Sequence, residues 1–333
     1  MSDSLPKLLQ EIHSTSTPNE LQLNFENFQS RISAILYSNP LEYLYYSNHT
    51  GRELYRKLYN FGLNNLITTS YDSGFRPNPK SSLWLPSEAS TKAWYDVSDN
   101  STLTINSGIV EAIADKSLNN NSLLAGSSSV KNQTLIPGGQ NSLDVVSMDG
   151  DDNYVAQNMN LPSSGNLCIF MVCKIDAIDS PLDSILSAIG PTSFQFAAGN
   201  VSEFRGQLAA NGIGGSNTGV STHGNLGGVY RIFALTMDFT SSQQCLIYAD
   251  GTDITNTPIA YTTKLGSPKT FRVFANRANA ENPSGFISEV VFVENTDETT
   301  RQKMEGYMAH KWGLSSNLPT NHPYKISFPL TAD

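Results

Sequence analysis

Three carboxylates stand within four residues at Asp149-Gly150-Asp151-Asp152, and hard oxygen ligands that close together can hold Ca²⁺ at a loop. Asp149, Asp151 and Asp152 are therefore the candidate metal ligands. The loop is not an EF-hand: Gly150 is not at the sixth position, and position twelve is Asn160 instead of a glutamate. A turn that ends a strand with Asp and Gly accounts for the same residues without a metal.

Hydrolysis of a glycosidic bond needs two carboxyl groups held about 5 to 10 Å apart. Glu289 and Glu294 are separated by Val-Val-Phe-Val, and an odd spacing sends them to opposite faces of a regular strand. Glu289 is then expected as a carboxylate bonded within the sheet. The five histidines, His13, His49, His223, His310 and His322, show neither HExxH nor any paired spacing, so neither a zinc site nor a Ser-His pair is expected. No catalytic residue is assigned.

Between Gly206 and Gly228 lie Gly212, Gly214, Gly215, Gly219, Gly224 and Gly227, without the Lys-Ser/Thr of a phosphate loop or a GxGxxG following a strand. A flexible loop and hairpin region is one reading. Glycan contact is the other: Asn211, His223 and Asn225, with Asn276, Arg277, Asn279 and Asn282 in a second loop, supply donors and acceptors on expected exposed turns.

The elements that must position these residues are mainly strands. Leu167 to Ile175, Arg231 to Phe239, Cys245 to Ala249 and Thr270 to Ala275 read as strands between clusters of Gly, Asn, Asp and Ser. Asp250-Gly251 is a strong hairpin turn, and Gly199-Asn200 a weaker one. Ile287 to Glu294 is almost continuously apolar at Val290, Val291, Phe292 and Val293, as a strand buried on both faces is. A helix follows over 297–313. Asp297 can cap it, Met304, Met308 and Trp312 recur at i, i+4, i+8 beside Tyr307, and Gly313 stops it, so one stripe is expected to face a core.

Residues 1–70 have another texture. Thr17-Pro18-Asn19-Glu20 and Thr50-Gly51-Arg52-Glu53 are capping boxes, each followed by apolar residues at helical spacing. Two or three helices in that length make a thin core, so the module is expected to pack on the next domain, on copies of itself or on another protein. Residues 71–82 read as a linker containing Pro77 and Pro79, with the larger domain at 83–333.

The chain has 333 residues, 39% of them hydrophobic and only 15% charged, enough for a sizeable core under a surface made polar by Asn, Ser, Thr and Gln. A net charge of −9 argues against a nucleic-acid partner, whose affinity comes largely from lysine and arginine on phosphates. No apolar run of about 18 residues is present to cross a bilayer, and MSDSLPKLLQ has no basic region before an apolar one, so no membrane insertion and no ordinary export are expected. Cys168 and Cys173 lie five apart in one strand and face opposite ways, so with Cys245 they are expected as buried free thiols in a reducing cytoplasm.

The segment Arg301-Gln302-Lys303, Glu305-Gly306-Tyr307, Ala309 and Lys311-Trp312-Gly313-Leu314 resembles the closing helix of the concanavalin A-like, laminin-G-type jelly-roll domains of bacteriophage and bacterial surface proteins. Further similar motifs occur in family order: Trp94-Tyr95-Asp96, Asp115-Lys116-Ser117, Met148 to Tyr154, Leu235 to Asp238 and Tyr248 to Gly251. Thr300 departs from the family's usual Glu and removes the reciprocal half of the capping box.

The resemblance implies a mainly β fold: a two-sheet antiparallel jelly-roll sandwich, here preceded by the small α-helical module. Its enzymes carry ExDxE or ExDxxE on one strand face, a motif this chain lacks. It further implies a non-enzymatic virion surface protein of a bacteriophage, made in the host cytoplasm and serving as capsid decoration, spike or short fibre. The partners implied are other virion proteins through the helical module, further copies of the chain up to a trimer, and a host-surface glycan. The alternative is a lectin-like receptor-recognition module, and the third reading a polysaccharide-degrading enzyme.

Overall fold

The strand Asn166–Ala177 is buried without a break from Leu167 to Cys173, which requires cover on both sides of the sheet that contains it. The computed structural model describes residues 83–331 apart from 127–131, 161–164, 179–182, 190–191, 201–202, 211–216, 223–225, 239–243, 256–258, 261–266 and 277–281. The helical module expected at 1–70 and the linker at 71–82 lie outside the described residues. Leu83–Pro329 form one compact unit.

Its strands are β1 (Thr91–Asp96), β2 (Leu103–Asn106), β3 (Ile109–Ile113), β4 (Leu123–Ala125), β5 (Thr134–Gln140) and β6 (Leu143–Asp149). There follow β7 (Tyr154–Met159), β8 (Asn166–Ala177), β9 (Asp183–Ile189), β10 (Thr192–Asn200), β11 (Glu203–Ala210) and β12 (Asn217–Thr222). The last are β13 (Tyr230–Asp238), β14 (Gln244–Ala249), β15 (Thr252–Asp253), β16 (Ile259–Ala260), β17 (Lys269–Val273) and β18 (Ser284–Glu294), after which comes the helix α1 (Glu298–Lys311).

All pairings are antiparallel and they divide into two layers. The front layer runs β14, β13, β8, β18, and the far edge of β18 is shared, with β1 along Glu289 to Val293 and β6 along Ser284 to Ile287. The back layer runs β4, β7, β17, β9, β10, β11, β12. β3 pairs with both β4 and β5 and joins the layers at one side. Between them the rings of Phe271 on β17 and Phe292 on β18 meet edge to face at 5.0 Å, and those of Phe196 on β10 and Phe233 on β13 at 6.2 Å. The mainly β, two-sheet antiparallel sandwich expected from the sequence is present.

Alternation sorts each front strand into two faces. Ile169, Met171 and Cys173 of β8 join the core between the sheets, while Cys168, Phe170 and Val172 are buried on the other side. That second apolar face is what α1 covers. The expected single stripe is too narrow a description: Arg301, Lys303, Glu305, His310 and Lys311 are buried along with Met304, Tyr307 and Met308. The reason is the tail after Gly313, which returns along the helix. Gly306 lies so close to Tyr324 that an added Cβ would stand 2.4 Å from the tyrosine Cβ, and Trp84 N–H donates to the Pro329 carbonyl at 2.9 Å.

Asp297 caps α1 by accepting from Thr300 N–H, and Gly313, at φ +70°, ends it. Asp250 (φ +49°) and Gly251 (φ +79°) form the tight turn between β14 and β15 that their sequence predicts. Gly199-Asn200 does not: both residues belong to β10, and Asn200 is already paired with Glu203. All three cysteines are free and buried. Among the described residues no helix is long and apolar enough to cross a membrane.

Candidate functional site

Glu289, the carboxylate with the best chemical credentials, sits on the helix-covered face of β18, opposite Asp96 of β1. Its side chain is fully buried. Oε1 accepts from Trp94 Nε1 at 2.7 Å and from the Tyr307 hydroxyl at 3.0 Å, and Oε2 accepts from Trp312 Nε1 at 2.7 Å and from Lys311 Nζ at 3.0 Å. Both oxygens thus have two donors each, drawn from β1 and from one side of α1, where Tyr307 and Lys311 stand four residues apart. A carboxylate held this way has no free lone pair to take a proton from water, and burial under the helix leaves no room for a sugar.

The network extends through Lys311, whose Nζ lies 2.7 Å from Asp96 Oδ1. Lys116 reaches Asp96 Oδ2 at 2.8 Å and Asp99 Oδ2 at 2.9 Å, and its ammonium sits 4.5 Å from the centre of the Trp94 ring. Burial alone would raise the pKa of Asp96, but the Lys311 and Lys116 ammoniums outweigh it and hold the carboxyl well below its usual range. Burial, then the Glu289 charge, push the Tyr307 phenol far up, so it remains a neutral donor. Asp115 accepts from Trp94 N–H at 2.9 Å, and Gln140 and Asn141 donate to the Trp312 and Lys311 carbonyls at the end of α1 at 2.7 and 2.8 Å. The arrangement is a polar clamp between helix and sheet.

A second buried group lies nearer the start of α1. Arg301 pairs with Glu305, Glu305 Oε2 is 3.2 Å from His322 Nε2 in the tail, and the Arg301 guanidinium sits 4.0 Å from the centre of the Tyr248 ring. His310 reaches the Tyr324 carbonyl at 2.8 Å and stacks on Phe328. Two of the five histidines therefore fasten the tail; His13, His49 and His223 lie outside the described residues.

Asp149 and Asp152 are joined through Asn132. Asn132 N–H donates to the Asp152 carboxylate at 3.1 Å and its amide to Asp149 at 2.7 Å, while Asp151 N–H donates to Asp149 at 3.0 Å. Burial and the neighbouring Asp149 push the Asp152 pKa up to about 6. Among the described residues no group of three or more His, Cys, Asp or Glu side chains is arranged to hold a metal ion. The Asp149 and Asp152 carboxylates serve donors within and beside the turn.

Of the residues expected to touch a glycan, Asn211, His223, Asn225, Arg277 and Asn279 lie outside the described residues. Asn276 is a correction: only 5% exposed, it is buried where β17 ends, and its carbonyl accepts from Arg272. The chain folds back here, since Ser187 on the neighbouring strand donates to the Ala275 carbonyl at 2.7 Å. Asn282 is half-buried beside the Asp149 turn. Trp312 was expected to face a core, and both it and Trp94 are buried, but no local spacing reveals that their indole N–H groups meet on one carboxylate. The available signal was a charged residue in an apolar strand, which demands donors from whatever covers it.

No family model matches the chain, and no curated protein matches it. Among solved structures it is similar to domain 4 of AbnA, a GH43 extracellular arabinanase from Geobacillus stearothermophilus in complex with arabinotriose, at 16% identity and a TM-score of 0.47, covering 62% of this chain and 93% of that one. It is also similar to the binding domain of botulinum neurotoxin DC in complex with SialylT, at 12% identity and 0.47, covering 66% and 52%. For the receptor binding domain of botulinum neurotoxin D the values are 10% and 0.46, covering 65% and 52%. The chain spans about half the length of these two toxin domains.

Proposed function

We propose that this chain is a non-enzymatic attachment protein of a bacteriophage virion surface, a decoration, spike or short fibre whose jelly-roll domain binds a glycan on the host. The observation that carries the non-enzymatic part is the state of Glu289: saturated by Trp94, Tyr307, Lys311 and Trp312, it serves to fasten α1 and has no part left for acid, base or nucleophile chemistry. The virion setting draws on the ordered motifs shared with phage surface domains. The glycan rests on a surface rich in amides and hydroxyls and poor in charge, suited to sugar hydroxyls and unsuited to phosphate.

A single site on such a domain would bind at about millimolar Kd, or about 4 kcal/mol, and several linked copies would raise this roughly 10²- to 10⁴-fold. That is the role assigned to residues 1–70: to dock on the particle or gather copies. Mass spectrometry of purified virions is expected to find the chain. Its absence from intact particles would remove the virion assignment and leave the lectin-like reading, which a glycan array tests separately.

A further inference from the structure

The helix α1 seals the outer face of the front sheet only in part. On that face Cys168, Phe170 and Val172 on β8, Ile232 and Ala234 on β13, and Glu289 on β18 are buried. The next cross-strand row on that face is Tyr230, Lys174, Phe286 and Ser147, each paired with the one before it. All four are half-buried. The rings of Tyr230 and Phe286 lie 6.2 Å apart, flanking Lys174, whose ammonium is 4.9 Å from the centre of the Phe286 ring and 2.9 Å from Asp176 Oδ1. Asp176, two residues further along β8, has 39% of its side chain exposed, and Val229 beside Tyr230 is 48% exposed. Burial, and then the Asp176 charge, push the Tyr230 phenol up, so it stays neutral.

The row is fixed by the backbone. An added Cβ at Gly285 would stand 2.0 Å from the Lys174 carbonyl oxygen, so β18 can run this close to β8 only with glycine there, and the pairing slips by a residue at that point. Phe286 is thereby set against Lys174, half-buried on this face.

We propose that Tyr230, Phe286, Lys174 and Asp176 form a binding site for a neutral hexose ring of a glycan. The chemistry is complementary in each part. The rings present an apolar platform for the C–H face of a pyranose, Lys174 donates to ring hydroxyl oxygens, and Asp176 accepts from hydroxyl protons. Lys174 and Asp176 balance each other's charge, so an acidic sugar gains no net attraction over a neutral one. This site rests on the glycan-binding reading and gives it a place.

The test is a glycan array of neutral and sialylated oligosaccharides probed with the full-length protein, followed by calorimetric titration of the best oligosaccharide into variants. Tyr230→Ala and Phe286→Ala should each weaken binding by about tenfold, the size of one good contact. Lys174→Gln and Asp176→Asn, changes at partly exposed positions that spare the fold, should weaken it several-fold, and Leu118→Ser, at a 90% exposed loop residue, should leave it unchanged. Wild-type binding that all four platform variants retain would overturn this site while the glycan reading stands. Wild-type protein that binds no member of the array would overturn both, and a preference for sialylated over neutral members would overturn the neutral-hexose assignment.

Discussion

A carboxylate is useful to an enzyme in proportion to what its neighbours leave unsatisfied, and Glu289 has nothing left. Four donors share its two oxygens, so its loss strands two indole N–H groups in an apolar layer and leaves the Lys311 ammonium with Asp96 as its remaining carboxylate. Glu289→Ala should cost about 3 to 5 kcal/mol, seen as a lower urea midpoint together with a changed near-UV signal from Trp94 and Trp312. Two aspartates should set opposing pH slopes. The folded pKa of Asp96 is depressed, so the stability it lends is present above its unfolded value of about 4 and is lost as pH falls below that. The folded pKa of Asp152 is raised to about 6, so its ionisation opposes folding, and stability declines as pH rises from about 4 to about 6. Denaturation of Asp152→Asn across that range should lose the decline, a gain of about 1 to 2 kcal/mol at pH 7; an unchanged slope would show that another group titrates there.

At the scale of the element, α1 is the piece on which the fold closes. Removing its cap with Asp297→Ala should cost about 1 kcal/mol, because Thr300 has no side chain able to complete a capping box. Gly306→Ala should be worse, about 1 to 3 kcal/mol, since the new methyl meets Tyr324 at the point where the tail crosses the helix. Limited proteolysis should then cut within 314–330, and resistance equal to wild type would contradict the close approach. Much of this element was legible: Asp297, Gly313 and the spacing of Met304, Met308 and Trp312 define its limits and one face. Its full burial was not, because the cover comes from a tail whose path no local pattern encodes. Strands with strong alternation or unbroken apolar runs could likewise be read, as at Leu167 to Ile175. The turn at Gly199-Asn200 failed because Asn200 is still paired with Glu203, and Gly199 marks a register shift within β10 instead of a turn. The platform of Tyr230 and Phe286 was invisible for a related reason: residues 56 apart in sequence become neighbours only through the register of β13, β8 and β18.

For the whole molecule, three of the motifs that carry the family resemblance, the first two in the chain and the closing helix, turn out to share a structural task. Trp94, Asp96, Lys116, Tyr307, Lys311 and Trp312, scattered over more than two hundred residues, all belong to the clamp around Glu289. They specify the scaffold, and the proposed function falls to the surface that α1 does not cover and to residues 1–70. Light scattering should give a multiple of the 36.3 kDa chain mass for the full-length protein and a monomer for residues 83–331. Two monomers would move the role of residues 1–70 from self-association to docking on another protein. The central claim, recognition without catalysis, is met most directly by incubating the full-length protein with the oligosaccharide it binds best on an array and measuring both retention and new reducing ends. Saturable binding is expected with no reducing ends above the buffer control; their time-dependent release, or no binding to any glycan, would overturn recognition without catalysis.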